Sequence, residues 1–166
     1  IIFTTGTNGD VVYVTTPEYN HPSGIQFFDR YAFVSTSHKG AKVFVYDVEQ
    51  LISEYTTEPI KTFSFSNHGG TTMGVADFEY CGKSYIMLAI ISNESLCYFY
   101  ISENSNSIDE LNFKSYGYSP LGSIRCPVYK SNSYEPVTEF ISDIHTQCVG
   151  LVTQDDNQIY LVVTLS

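Results

Sequence analysis

A repeat about fifty residues long constrains this chain more than any other feature. His21-Pro22-Ser23-Gly24-Ile25-Gln26 opens one copy and His68-Gly69-Gly70-Thr71-Thr72-Met73-Gly74-Val75 opens the next. Each opening leads into a strand and then a Tyr-led strand, Tyr31-Ala32-Phe33-Val34-Ser35 in one copy and Tyr85-Ile86-Met87-Leu88-Ala89 in the other; a Tyr-closed strand follows. Sliding the chain by 54 places Tyr31 on Tyr85, Tyr46 on Tyr100 and Glu49 on Glu103, and the apolar positions between them keep their class. A third, incomplete copy opens at Cys148-Val149-Gly150-Leu151 and continues in Tyr160-Leu161-Val162-Val163. Units of this length cannot bury their apolar faces alone and must stack on one another. With about four strands per unit, the chain is expected to be all-β and propeller-like, with about three blade equivalents of four-stranded antiparallel sheet in a single domain over residues 1–166.

Composition agrees with that class and removes others. Apolar residues make up 43% of the chain, enough for a core, and the 14 Tyr and 11 Phe suit pleated, half-buried surfaces. The formal charge of −10 repels phosphate backbones and anionic headgroups, so nucleic acid is not an expected partner. Residues 85–91 form an apolar run far shorter than the roughly 20 residues of a membrane-crossing helix, so no membrane insertion is expected. The sequence opens on Ile1-Ile2-Phe3 with neither Met nor a charged leader, which reads as a processed or truncated chain. Asn93-Glu94-Ser95 is a glycosylation triplet at an expected hairpin tip and leans towards a secreted location.

The strands can be placed by alternation and turn residues. A hairpin is expected over 1–15, reversed at Asn8-Gly9. Strands over 24–28, 31–37, 42–48 and 60–65 make the first unit, with one helical turn at 48–55 joining its third and fourth strands. The second unit is expected at 75–79, 84–91, 96–101 and 111–116, with 102–110 as a solvated loop. The third supplies 147–153 and 158–165. Between the second and third, residues 118–139 form an insertion rich in Pro, Ser and Tyr, and long insertions of this kind are often functional. The chain thus starts on what resembles the last two strands of one blade and stops on the first two of another. Three explanations fit: part of a longer propeller, one of two cleaved chains, or a homo-oligomer in which two copies complete each other's open blade.

His21-Pro22-Ser23-Gly24-Ile25-Gln26, taken with Tyr31-Ala32-Phe33-Val34 and Val43-Phe44-Val45-Tyr46-Asp47-Val48, resembles a group of β-propeller-like proteins with H-P-G-G-I-Q blade openings. Gly74-Val75-Ala76-Asp77-Phe78 followed by Ser84-Tyr85-Ile86-Met87-Leu88-Ala89 is similar to the same pattern. The resemblance covers roughly residues 20–103, with an echo at 147–163, and Ser23 stands where the pattern has Gly. It implies a fold and carries over no catalytic residue.

Candidate sites follow from residue type and position. His21, His68 and His145 each precede the first strand of a unit, and three imidazoles at one mouth of a propeller channel suit Zn²⁺ or another divalent metal. The plain alternative is that each bonds its own loop. Asp77, Asp143, Asp155 and Asp156 lie near strand ends, where oxygen ligands for Ca²⁺ can gather, but no D-x-D-x-D-G run exists and turn-forming or solvated roles are the expected ones. In and beside the insertion, Tyr116, Tyr118, Tyr129 and Tyr134 flank Arg125 and Lys130, a composition enriched at binding hot spots, while the plainer reading is that these tyrosines cover blade edges or contact a missing part of the chain. The four cysteines show no C-x-x-C spacing. Cys97 and Cys148 read as small buried residues, Cys81 and Cys126 as loop thiols able to pair in an oxidising compartment. No G-x-S-x-G elbow or phosphate loop is found. The expected function is a non-enzymatic interaction or ligand-binding module, for a protein, a small ligand or a glycan. The alternatives are a propeller hydrolase or lactonase with a metal in its channel, and a structural part of a larger assembly.

Overall fold

The protein is described from a computed structural model over residues 2–5, 10–13, 22–36, 41–54, 58–65, 70–92, 96–120, 127–128, 137–138, 146–154 and 158–165. It is all-β, with antiparallel pairing throughout and one α-helix among these residues. Strands β1 (Ile2–Thr5) and β2 (Asp10–Tyr13) form the expected hairpin, a sheet of its own. The first sheet runs β3 (Pro22–Phe28), β4 (Tyr31–Thr36), β5 (Ala41–Asp47) and β6 (Lys61–Phe65) in simple meander order, with helix α1 (Val48–Glu54) between β5 and β6. The second repeats that order in β7 (Gly70–Tyr80), β8 (Lys83–Ser92), β9 (Leu96–Glu103) and β10 (Lys114–Pro120). Within the insertion, β11 (Pro127–Val128) and β12 (Val137–Thr138) make a short ladder. The third sheet is the pair β13 (Thr146–Thr153) and β14 (Ile159–Leu165). The described sheets of four, four and two strands do not close a ring, so the propeller expectation stands in its coarser form, stacked antiparallel sheets.

Two expectations change. The second sheet's last strand starts at Lys114 rather than 111, and the link before it, exposed at Asn106, Asp109 and Glu110, also buries Ile108. Ser107 caps a 3₁₀ turn, Ile108–Glu110, by accepting from the Asp109 amide at 3.3 Å. That turn directs Ile108 and Leu111, both buried, into the core. The repeat also stretches along the chain. Gly24 and Gly74 hold the same place in their sheets, facing Ser35 and Ala89, but Gly24 lies four residues before the end of β3 and Gly74 six before the end of β7. The second hairpin is therefore two residues longer per strand, turning at Cys81 (φ 51°) and Gly82 (φ 74°), the pair of positive φ angles a two-residue primed turn requires. By register Tyr46 faces Ala32 whereas Tyr100 faces Leu88, so the sequence match between these two tyrosines is offset by two positions.

Alternation along the strands gives each sheet two apolar faces, and the sheets stack through them. One face of the first sheet, with Phe33, Val43, Val45 and Phe65, packs on Met73, Val75, Ile86, Leu88, Ile90 and Tyr100 of the second. The opposite face of the second, with Ala76, Ala89, Ile91 and Cys97, packs on Val149 and Leu151 of the third. A sheet covered on both sides reads as a continuous apolar run, which is why residues 86–91 show no polar alternation. Burial alone drives the Cys97 thiol up to about 12, so the expectation of a small buried residue holds for Cys97. Cys148 is exposed, a correction: it lies next to the bulge between Thr146 and Cys148, outside the packed face. The first sheet's other face carries Ala32, Val34, Phe44 and Tyr46 under Leu51 of α1.

Candidate ligand cleft

The first strands of the three units, β3, β7 and β13, lie side by side. Their close approach is set by two glycines. A Cβ on Gly24 would stand 2.7 Å from Thr72 Oγ1, and one on Gly74 would stand 2.6 Å from the Leu151 nitrogen and 2.8 Å from the Gly150 carbonyl carbon. Between the strands lies the side-chain amide of Gln26. Its Nε2 donates to the carbonyls of Val75 (2.6 Å) and Leu151 (2.7 Å), while its Oε1 accepts from the amides of Val75 (3.0 Å) and Leu151 (3.1 Å). A primary amide has two donors and two acceptor lone pairs, so all four are used. The amide thus acts as a rung joining the inner edges of β7 and β13. Thr72 Oγ1 accepts from the Val149 amide at 3.1 Å, and Thr153 Oγ1 donates to the Asp77 carbonyl, completing a line of side-chain rungs.

The difference in hairpin length opens a cleft. The second hairpin rises two residues, roughly 7 Å, past the first. The step is walled on the far side by the link between β9 and β10. The resulting cleft of about 790 Å³ is lined by Phe28, Arg30 and Tyr31 from the first sheet, and by Ser84, Asn104 and Asn106 from the second, over a floor that includes Ile86 and Leu111.

Each wall is held in place. Arg30 Nη2 donates to Asp47 Oδ2, its Nη1 lies 4.0 Å from Glu49, and its guanidinium sits 5.5 Å from the centre of the Tyr31 ring. The bond to Asp47, and then its charge, raise the Arg30 pKa further. Asp47 is buried, and its other oxygen accepts from the Glu49 amide at 3.0 Å and the Gln50 amide at 3.4 Å, so one carboxylate caps α1 and orients Arg30. Across the cleft, Asn104 donates through its backbone to the Ser84 carbonyl (2.8 Å) and through Nδ2 to Ser84 Oγ (3.1 Å). Ser105 Oγ donates to Glu110. The two sheets are tied beside the cleft by Lys61, which donates to the Asp109 carbonyl at 3.2 Å, and by the edge-on contact of Phe63 with Phe113, 4.9 Å between centroids.

Of the residues singled out from sequence, those that are described fall outside the cleft. Tyr116 is 77% exposed on β10, beside a bulge between Ser115 and Gly117, and does not line the cleft. Tyr118 stands on the same strand opposite Tyr98. Arg125, Tyr129 and Tyr134 lie outside the described residues, as do Lys130, Cys126, Asp143, Asp155, Asp156, the triplet at Asn93 and the metal candidates His21, His68 and His145. Asp77 is exposed, and its carbonyl serves the rung from Thr153. Among the described residues no cluster of three or more His, Cys, Asp or Glu could hold a metal. Sequence reading missed Gln26 and the Arg30-Asp47 pair. Gln26 was visible as the last residue of the H-P-S-G-I-Q opening, a polar residue at the heart of an apolar strand. No family model, curated protein or solved structure matches the chain.

Proposed function

We propose that this protein is a non-enzymatic binding module on a propeller-like scaffold, and that the cleft between its first two sheets receives a neutral, hydroxyl-rich ligand of the glycan class. The cleft itself carries the reading. Its size lies within the roughly 300–1,000 Å³ of small-ligand sites, and it sets amide and hydroxyl groups of Ser84, Asn104 and Asn106 opposite the aromatic rings of Phe28 and Tyr31. Aromatic faces suit the C–H surface of a sugar, and amides suit its hydroxyls. Arg30 is already matched by Asp47 and Glu49, and the other charged residue of the lining, Asp29, is an acid, so an anionic ligand is disfavoured. A second reading, a structural part of a homo-oligomeric assembly, is supported by apolar side chains left exposed on the outermost sheet faces, among them Phe27 and Val162.

The test of the first reading is titration with a panel of neutral oligosaccharides, followed by saturation-transfer NMR and calorimetry. Binding is expected to weaken at least about tenfold in Tyr31→Ala and in Asn106→Ala, with both variants retaining the β-sheet circular dichroism spectrum. Tyr31 also packs on the core, so the exposed Asn106 is the cleaner site. A panel without any binder, or variants that bind as the parent does, would remove the cleft from consideration.

A further inference from the structure

Hydrogen bonds made inside the protein divide the polar groups of the cleft into those already used and those held in place yet still open. Ser105 Oγ donates to Glu110 and accepts from the Ser107 amide at 3.4 Å, and the Arg30 guanidinium is turned to Asp47 and Glu49. Ser84 and Asn104 differ. The backbone N–H of Asn104 donates to the Ser84 carbonyl at 2.8 Å, which carries the β8–β9 ladder one rung past the pairing of Tyr85 with Glu103. Both residues therefore stand on the end of a sheet. Asn104 Nδ2 then donates to Ser84 Oγ at 3.1 Å. A primary amide has two N–H donors and an acceptor oxygen, and a hydroxyl has one donor. The inner bond thus leaves Asn104 Oδ1 to accept and the Ser84 O–H to donate, and among the described residues neither has another partner. Both side chains line the cleft and both residues are half-buried.

We propose that Ser84 and Asn104 are the specificity-determining pair of the cleft, and that they select a ligand with hydroxyls on two adjacent ring carbons, the vicinal diol of a pyranose. This rests on the binding reading above and names the feature of the glycan that is read. One hydroxyl of the diol accepts from the Ser84 O–H and its neighbour donates to Asn104 Oδ1. Spacing agrees: Nδ2 and Oγ of the pair are 3.1 Å apart, close to the separation of two gauche oxygens on neighbouring ring carbons. Phe28 and Tyr31 on the opposite wall take the C–H face of the same ring. The Asn104 side chain is already fixed by its bond to Ser84, so little rotamer freedom is lost on binding. Selectivity comes from partial burial. A ligand without one of the two hydroxyls covers Oδ1 or the O–H and leaves it unpaired, and a site built on such a group rejects the deoxy analogue more strongly than apolar contact does. Asn106 is exposed and makes no side-chain hydrogen bond to the described residues, so it adds affinity without fixing which hydroxyls are read.

The test titrates the full 166-residue chain, by saturation-transfer NMR and calorimetry, with the methyl glycosides of glucose, galactose and mannose and with their singly deoxygenated derivatives. At least one glycoside should bind, and removal of either of two adjacent hydroxyls should weaken it about tenfold or more, with the remaining hydroxyls worth about twofold or less. Ser84→Ala should weaken the intact glycoside about tenfold and erase the penalty for removing one of the two hydroxyls; Asn104→Ala should erase the penalty for the other. A merely structural role would lower affinity for every glycoside alike and leave the penalties in place. Ser84→Thr, which keeps the hydroxyl, should restore the discrimination. Binding that weakens in Asn106→Ala but keeps its affinity and hydroxyl preference in Ser84→Ala and Asn104→Ala would overturn the pair and leave the cleft reading standing. Dependence on hydroxyls that are not adjacent would overturn the diol. If none of the glycosides binds, the proposal falls, and the oligosaccharide panel alone then decides the cleft reading.

Discussion

Gln26 holds two strands that are far from it in sequence, and its contribution can be estimated from what its removal leaves behind. Gln26→Ala strands the N–H and C=O of both Val75 and Leu151. Losing the partner of a buried backbone group costs about 1–3 kcal/mol, and water admitted to a partly buried site recovers part of it. A net loss of about 3 kcal/mol is expected in urea unfolding of Gln26→Ala. A loss under about 1 kcal/mol would show that the amide is a passenger between strands that hold without it. At this scale the sequence gives the residue but not the role: an opening motif ending in Gln is plain to see, whereas its partners lie 49 and 125 positions away.

At the scale of the element, glycine positions and hairpin lengths decide how close the sheets come and where they part. Gly74 faces backbone atoms, which cannot swing aside, whereas Gly150 faces open space and a side-chain oxygen. Gly74→Ala is therefore expected to lower stability by about 1–3 kcal/mol, the usual range for overpacking, and Gly150→Ala by much less. Thermal melts of the two variants side by side check this, and equal losses would count against close approach as the reason for Gly74. Most strand positions were legible as alternating or uniformly apolar runs bounded by Gly, Asn or Pro, and the helix between β5 and β6 was legible too, whereas β7 begins at Gly70 rather than 75 and the β11–β12 ladder lies in what was read as an insertion. The burial of Ile108 within the link expected over 102–110 was missed because the stretch around it is polar and a single apolar residue shows no period; the cap at Ser107 starts the turn that buries it.

For the whole molecule, the second sheet is the centre, packed on both faces, and β8 is its best-protected strand, paired on both edges by β7 and β9. Amide exchange reports local opening free energy, so β8 amides are expected to exchange slowest in the native protein and α1 amides much faster. Exchange as slow in α1 as in β8 would show that the stacked sheets do not set the order of stability. The cleft belongs to this scale as well. It exists because two adjacent hairpins differ by two residues per strand, and the spacing of residues in the chain does not say which face of a neighbour that difference will overhang.

What the sequence determined by itself is the class and the unit: all-β, repeated antiparallel strands, and one short helix in its right place. Those features depend on contacts between residues a few positions apart and on the fixed two-residue alternation of a strand. What only the tertiary structure decided is which faces meet, what lies between them and where a cleft remains. Gln26 reaching Leu151, Gly74 admitting Gly150, and Arg30 and Asn104 facing one another across a step between hairpins all join distant parts of the chain, and such contacts leave no local period to read.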